Sequence, residues 1–467
     1  MSNSEDGSAA RKAFQQLLQA GGLDAAAGEG VLFTGNDPVF PTPYRIGAAG
    51  AGAVAAVAAA SAGLWTLRTG RNQQIAVDVA AAAASLRGHK YITVNGVNPQ
   101  TREAVTRYYQ CQDDRWIYLH CNFPHLRERN LRVVGAVADP VAVAKAVSRW
   151  TGEELEEAIF AAGGCGGMAR TASEWAAHPH GAVVADLPML EIYRIGDSPP
   201  QALPAGDRPL AGIRALDFTR VIAGPFCTRV LAEHGADVMK VSRPDLPNSG
   251  ALDIETGIGK LSTYLDLREP AQAERLRELV SSCDIFVNAY RPGALASHGF
   301  GPESLAAMRP GLVYVTLSAW GHVGPWKDRR GYDTVVQAVN GMAARSAVDS
   351  IPTQLPVAAI DYVSGNIMAF GAMVALARRA TMGGSWAVRV SLAAVGAWIA
   401  RQGMVDDQQF ASAPAELPAA TLAGLMREIS SPFGHVSYLG PVAQMSETPL
   451  GSQLPPLPLG VSEARWP

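Results

Sequence analysis

Between residues 210 and 318, short apolar runs rich in branched side chains alternate with helical segments, and no other feature of the chain constrains its fold as strongly. Residues 213–218 read as a buried strand, Gly224-Pro225 opens a helix reaching about His234, and residues 236–241 read as the next strand. A strand over 261–267, an amphipathic helix over 270–282, a strand over 285–288, a helix over 302–308 and a strand over 312–318 follow. Continuous apolar strands separated by helices build a parallel sheet covered on both faces. The expected fold class is therefore α/β, a Rossmann-like parallel-sheet domain accompanied by a smaller α+β domain. Ligands of such sheets sit beyond the carboxyl ends of the strands, so the loops after Phe218, Val241, Asn288 and Ser318 are where a site is expected.

The remaining chain divides by texture. Residues 1–40 are polar and small, and a helix over about 10–20 is the one element expected there. Residues 41–104 carry a long Ala-rich helix, a turn at Arg68-Thr-Gly-Arg-Asn-Gln73, a strand over 75–79 and a second Ala-rich helix. Residues 105–197 read as the α+β domain, with strands around the Asp113-Asp114 turn and helices near 140–150 and 152–162. The Pro-rich stretch 198–209 reads as a linker, 210–430 as the α/β domain, and 431–467 as a Pro/Gly-rich tail wrapping over a surface. Residues 357–392 repeat an earlier order: a small-residue helix over 365–379, a Gly turn, and a strand over 386–391. Set beside residues 44–79 this is an internal repeat, in which the position of Asp361 falls near Ala48, and residues 46–64 hold no carboxylate.

Composition removes several classes of function. With 39 Lys+Arg against 42 Asp+Glu there is no basic field, so nucleic acid is not an expected partner. Cys111, Cys121, Cys165, Cys227 and Cys283 form no Cys-x-x-Cys pair, which fits a reducing compartment without structural zinc, and no metal is expected. The acidic start lacks an apolar leader, so a cytoplasmic location is expected. Residues 47–64 are uncharged, but they are almost wholly Ala and Gly and read as a tightly packed buried helix, so no membrane partner is expected. Nucleotide-binding GxGxxG and Walker loops, zinc-binding His-Glu-x-x-His and the Gly-x-Ser-x-Gly elbow are missing from the sequence.

A candidate for chemistry is Asp361, which ends the apolar run 356–360 at the mouth of a helix rich in Gly, Ala and Met. A carboxylate there faces free backbone N–H groups, as a reactive group or as an ordinary helix cap. The motifs around it carry a resemblance. Leu210-Ala-Gly-Ile-Arg-Ala-Leu-Asp-Phe-Thr-Arg-Val-Ile-Ala-Gly-Pro225 is followed in order by Gly235-Ala-Asp-Val-Met-Lys-Val241, Gly259-Lys260, Val287-Asn-Ala-Tyr-Arg-Pro-Gly-Ala294, Gly331-Tyr-Asp333 and the Asp361 stretch. Together they resemble the family III CoA-transferases, the group of formyl-CoA transferase, the carnitine CoA-transferases and α-methylacyl-CoA racemase. Residues 44–200 resemble the second half of such a protein and 210–395 the first half, so the chain is similar to a fused pair of partial copies.

The resemblance implies transfer of CoA from an acyl-CoA to a small carboxylic acid, with CoA as a substrate moiety and no permanently bound cofactor. It implies that Asp361 is the nucleophile, forming first a mixed anhydride and then an aspartyl-CoA thioester. A carboxylate suits this work because an anhydride keeps the activation that an ester would lose. Asp333 is implied as a supporting acid. Backbone at Val221 and Ala223 and the cations Arg243, Lys260 and Arg291 are implied as CoA contacts, and the helix start at Tyr362–Gly365 is expected to supply oxyanion donors. Racemases of this group carry His immediately before the acid, where this chain has Tyr332, so transferase is favoured over isomerase or racemase. A non-catalytic acyl-CoA-binding protein is the third reading. Family members form interlocked homodimers, so a homodimer is expected.

Overall fold

Residues 7–291 and 293–467 are described by the computed structural model. The acidic start at residues 1–6 and Pro292 of the Tyr-Arg-Pro-Gly run lie outside them. The first lobe opens with α1 (Ser8–Ala20), which buries Ala10, Ala13, Phe14, Leu17 and Leu18 at helical spacing. A strand that the sequence reading did not anticipate, β1 (Val31–Thr34), alternates buried Val31 and Phe33 with exposed neighbours. Helix α2 (Ile46–Thr69) follows, and its small residues let other backbones approach: a Cβ on Gly52 would meet Cβ of Ala13 at 2.7 Å. It stops at Gly70, whose φ of 74° is the left-handed ending that glycine adopts without penalty. Strand β2 (Ile75–Asp78) runs parallel to β1, and Asp78 caps α3 (Val79–Ser85) by accepting from the Ala81 N–H.

The α+β domain is an antiparallel sheet of β3 (Arg107–Gln110), β4 (Trp116–Leu119) and β5 (Gly166–Met168), backed by α4 (Pro124–Val134), α5 (Pro140–Val147) and α6 (Gly152–Ala161). Its own core joins Ile117 and Leu119 to Val143, Val147, Leu155 and Ile159. Beyond it comes β6 (Glu191–Gly196), which sequence texture assigns to this domain but which pairs instead with the large sheet. No helix or strand occurs in the Pro-rich stretch 198–209.

The second lobe carries β7 (Arg214–Phe218), α7 (Ala223–Glu233), β8 (Asp237–Ser242), β9 (Lys260–Tyr264), α8 (Pro270–Ser281), β10 (Ile285–Asn288), α9 (Pro302–Met308) and β11 (Val313–Ser318). After these come α10 (Asp333–Val339), α11 (Ala359–Met382), β12 (Ser385–Ser391) and α12 (Leu392–Ala400). The sheet order is β9-β8-β7-β10-β11-β12-β6, parallel except for β6 at the edge. The expected α/β class is thus the observed one. Residues 426–467, which include the expected Pro/Gly-rich tail at 431–467, carry strands. They contain the hairpin of β13 (Met426–Ser431) and β14 (Gly434–Leu439), then β15 (Ala443–Met445), which pairs antiparallel with β2.

The repeat is physical. Sheet β1-β2-β15 matches β11-β12-β6, each a parallel pair followed by an antiparallel edge. Thr34 lies opposite Asp78 as Ser318 lies opposite Ser391, and Asp78 and Ser391 each cap the helix that follows. Helices α2 and α11 are both 24 residues long, so Ala48 and Asp361 each stand third in their helix. The two helices pack on one another. Both are long and apolar enough to cross a membrane, yet 89% and 100% of their apolar windows are buried inside the protein.

Candidate active site

Helix α11 begins at Ala359, six residues before the expected start, because Pro356 is the last breaker ahead of it. Asp361 therefore stands in the first turn and does not cap: the N-cap is Ala358, and no cap hydrogen bond comes from its side chain. The expected oxyanion donors are corrected for the same reason. Tyr362 N–H already donates to the Ala358 carbonyl at 3.1 Å, and the N–H groups after it lie within the helix. The free N–H of Asp361 donates to Oδ2 of Asp333 at 3.0 Å, and Ile360 N–H bonds the same carboxylate. Asp333 is thus the cap of α11, supplied from the start of α10 and steadied by the Gln337 amide. In the first lobe Asp37 does the same for α2, accepting from Gly47 and Ala48 at 2.8 Å. Gly35-Asn-Asp37 is accordingly the counterpart of Gly331-Tyr-Asp333, and the equivalence of Ala48 and Asp361 follows from geometry.

Asp333 and Asp361 are 3% and 7% exposed. Burial pushes Asp333 up to about 6, opposed by its hydrogen bonds to Asp361, Gln337 and Ile360. Asp361 is pushed well above the carboxylate range by burial and then by the neighbouring Asp333 charge. Of the two, Asp333 has the donors that stabilise an anion, so the proton resides on Asp361.

The loop after β7 passes close to this pair. Val221 has a φ of 75°, a left-handed conformation that a β-branched residue adopts only when its surroundings impose it. Ala223 begins α7, and its carbonyl is so near α11 that a Cβ on Gly365 would meet it at 2.7 Å. Asp217 anchors the loop by accepting from Thr219 and Thr228. Lys260 was expected to meet CoA; instead it is 1% exposed, bonded to Asp217 Oδ2 at 2.9 Å and the Pro225 carbonyl at 2.6 Å. Its ammonium ties β7 to the start of α7 and is closed off from solvent. Arg243 pairs with Asp245 at the rim of a cavity of about 220 Å³ beyond the strand ends, lined also by Phe218, Leu265, Tyr290 and Leu295.

Arg291 belongs to a larger grouping. Arg330, Arg129, Arg220 and Arg291 surround His125, whose pKa is lowered by burial and then by these four charges. Arg220 donates to the Pro247 carbonyl, while Arg129 and Arg330 share the Gly163 carbonyl. Among the described residues none of the four pairs with a carboxylate, so the cluster is a concentration of uncompensated positive charge. Arg129 and His125 come from the small domain and the other three from the second lobe, so the cluster straddles the cleft. Phe123 and His120 of the small domain stack on Tyr332, beside Asp333, with ring centroids 5.8 and 4.1 Å away. Sequence reasoning missed Arg220 and Arg330, although Arg220 stands within a matched motif and Arg330 immediately before one. It also missed His120, Phe123, His125 and Arg129, for which strand and helix patterning gave no signal.

The sequence profile of CoA-transferase family III matches residues 5–191 and 210–425. Acetyl-coenzyme A transferase nodX of Hypoxylon pulicicidum is 29% identical over 326 residues, covering 64% of this chain and 55% of that protein. Succinyl-CoA:glutarate CoA-transferase of Mus musculus is 35% identical over 181 residues, 36% of this chain and 41% of that protein. The crystal structure of a hypothetical protein of Mycobacterium tuberculosis, Rv3272, is 32% identical with a TM-score of 0.39, covering 42% of this chain and 58% of that one. The chain spans about half the length of the curated relatives it matches.

Proposed function

This chain belongs to CoA-transferase family III, and from that premise we propose that it moves CoA from an acyl-CoA thioester to a carboxylic acid, with Asp361 as nucleophile. The observation that carries the reading is the Asp333–Asp361 pair, in which one carboxylate holds the helix start and leaves the other for chemistry. Ionised Asp361 attacks the thioester carbonyl, forming a mixed anhydride and releasing CoA thiolate. The thiolate attacks the aspartyl carbonyl, which frees the donor acid and leaves an aspartyl-CoA thioester. An acceptor carboxylate then attacks that thioester, and the returning thiolate takes the acyl group from the new anhydride and restores Asp361.

The cavity beside Arg243 and Tyr290 suits the nucleotide end of CoA, and the four arginines around His125 suit its phosphates. Backbone at Ala223, whose carbonyl packs against Gly365 one turn beyond Asp361, and the strained backbone at Val221 before it complete the proposed CoA contacts. An isomerase or racemase would need a second base beside Asp333. The nearest imidazole to Tyr332, His120, is pushed down to about 3 by burial and the Arg102 charge, too weak a base to hold a proton for return. Five unpaired cysteines support a reducing, cytoplasmic setting, and a homodimer is part of the reading, to be tested by light scattering.

Incubation with acyl-CoA followed by borohydride and peptide mapping tests the proposal. Modification confined to Asp361, and loss of transfer in Asp361→Ala with CoA binding intact, are the expected results. Solvent deuterium entering the α-carbon without an adduct would favour isomerisation. CoA binding with neither outcome would leave an acyl-CoA-binding protein.

A further inference from the structure

The first lobe carries Ala48 at the place of Asp361, yet it touches the turn that bears Asp361 at three points. The Ala358 N–H, at the N-cap of α11, donates to the Leu86 carbonyl at 3.0 Å. Lys90 Nζ donates to the Pro356 carbonyl at 2.7 Å. The His89 N–H donates to the Tyr362 hydroxyl at 3.0 Å. One short stretch of the first lobe, residues 86–90, thus grips residues 356, 358 and 362 on either side of Asp361.

The third contact is backed from both lobes. Tyr362 is fully buried, its ring edge-on to Phe226 at 4.8 Å and stacked on the His89 imidazole at 5.9 Å. Its hydroxyl lies 3.2 Å from His89 Nδ1 and 3.4 Å from Glu255 Oε2. Glu255 is held in turn by Arg229, which donates to its carboxylate and to its carbonyl. Burial, and then the Lys90 and Arg87 charges, push His89 down to about 4, so the imidazole stays neutral and serves as a hydrogen-bonding group alone.

The reverse contact shows what is particular to this side. Val405 N–H donates to the Pro43 carbonyl at 2.8 Å, and Tyr44 forms a bridge with Met404, so the second lobe holds the start of α2 as the first holds that of α11. In α2 the place of Tyr362 is taken by Ala49, which has no hydroxyl. Of the two helix starts, the one with the hydroxyl link is the one that carries the acid. The first turn of a helix is the part least fixed by its own hydrogen bonds, since its N–H groups find partners outside the helix. Where Asp361 points is therefore set by what holds that turn, Asp333 from the second lobe and residues 86–90 from the first. Misplacing a reacting group by about 1 Å costs about 100-fold in rate.

Resting on the CoA-transfer reading, we propose that Tyr362, His89 and Lys90 are positioning residues of the reaction. Through residues 86–90 the first lobe fixes the turn that aims Asp361, so the lobe without a nucleophile acts on the chemistry of the other. None of the residues assigned to CoA takes part in these contacts.

Tyr362→Phe keeps the ring and deletes the hydroxyl, while Lys90 lies at the surface, so its substitution leaves the core intact. In the full chain, with adducts on Asp361 trapped by borohydride over time, Tyr362→Phe and Lys90→Met should each slow adduct formation and lower kcat by about tenfold. CoA affinity by calorimetry and KM for the acyl-CoA should stay within about twofold. Lys90→Arg, which keeps a donor for the Pro356 carbonyl, should recover part of the loss. The double variant should lose less than the product of the two single losses, because both act on one turn. Unchanged kcat in both single variants, a parallel loss of CoA affinity, or losses that multiply would each overturn the inference. Failure of the unsubstituted protein to form an adduct at Asp361 would instead remove the CoA-transfer reading, and this proposal with it.

Discussion

Asp333→Asn isolates the electrostatic part of the site. The substitution keeps a carbonyl oxygen to accept from the start of α11 and removes the like charge that helps hold the proton on Asp361. Two unit charges about 4–5 Å apart at an effective dielectric near 20 repel by about 3–4 kcal/mol, which is roughly two to three pKa units. If ionised Asp361 is the attacking group, log kcat/KM for CoA transfer rises with pH until Asp361 has lost its proton. The acid-side inflection should therefore lie well above the ordinary carboxylate range in the unsubstituted protein and about two units lower in Asp333→Asn, whatever the loss in maximal rate. An inflection that stays in place or moves upward would refute the claim that the Asp333 charge controls Asp361. Stability carries the same sign. Both carboxyls have folded-state pKa values above the unfolded range, so the folded state binds more protons, and stability falls as pH rises from about 4 through 6 and beyond. Relative to the unsubstituted protein, Asp333→Asn should thus be better tolerated at pH 8 than at pH 5 in urea unfolding.

Three further substitutions test the packing around the site. Lys260→Met leaves Asp217 buried without its nearest cation and should cost about 3–5 kcal/mol in denaturant unfolding; a neutral result would show the ion pair to be dispensable. Gly365→Ala drives a methyl against the Ala223 carbonyl, and because backbone cannot step aside it should lower stability by about 1–3 kcal/mol and weaken CoA binding through the Val221 loop. Ala48→Asp places a carboxylate where the first lobe has Asp37 and no CoA-binding half; it should destabilise by roughly 3 kcal/mol or more, and aspartyl adducts should still map to Asp361 alone.

The strands of the second lobe were legible because each is a continuous apolar run between helices, a pattern with one common solution. Strand β6 and hairpin strand β13 were not, since their residues are only partly buried or exposed and alternate weakly. Asp361 was legible as the single carboxylate ending an apolar run at a helix mouth within one of the matched motifs. The part played by Asp333 was hidden because the N–H groups it caps belong to a helix 28 residues further along. Lys260 misled because lysine is so seldom fully buried that exposure is the natural assumption. Arg129, His125 and His120 lie more than 150 residues from Asp361 in sequence and meet its surroundings only through docking of the small domain. No local pattern encodes that docking.

Asp361 stands in the second lobe, and His120 and Phe123 of the small domain that follows the first stack on Tyr332 beside Asp333, all within one polypeptide. Their meeting is therefore an intramolecular event of folding. The fusion also removes a constraint of symmetry. In a pair of identical subunits every substitution is made twice, once at each site. Here the two lobes differ at equivalent places, the first carrying the methyl of Ala48 where the second carries the acid of Asp361.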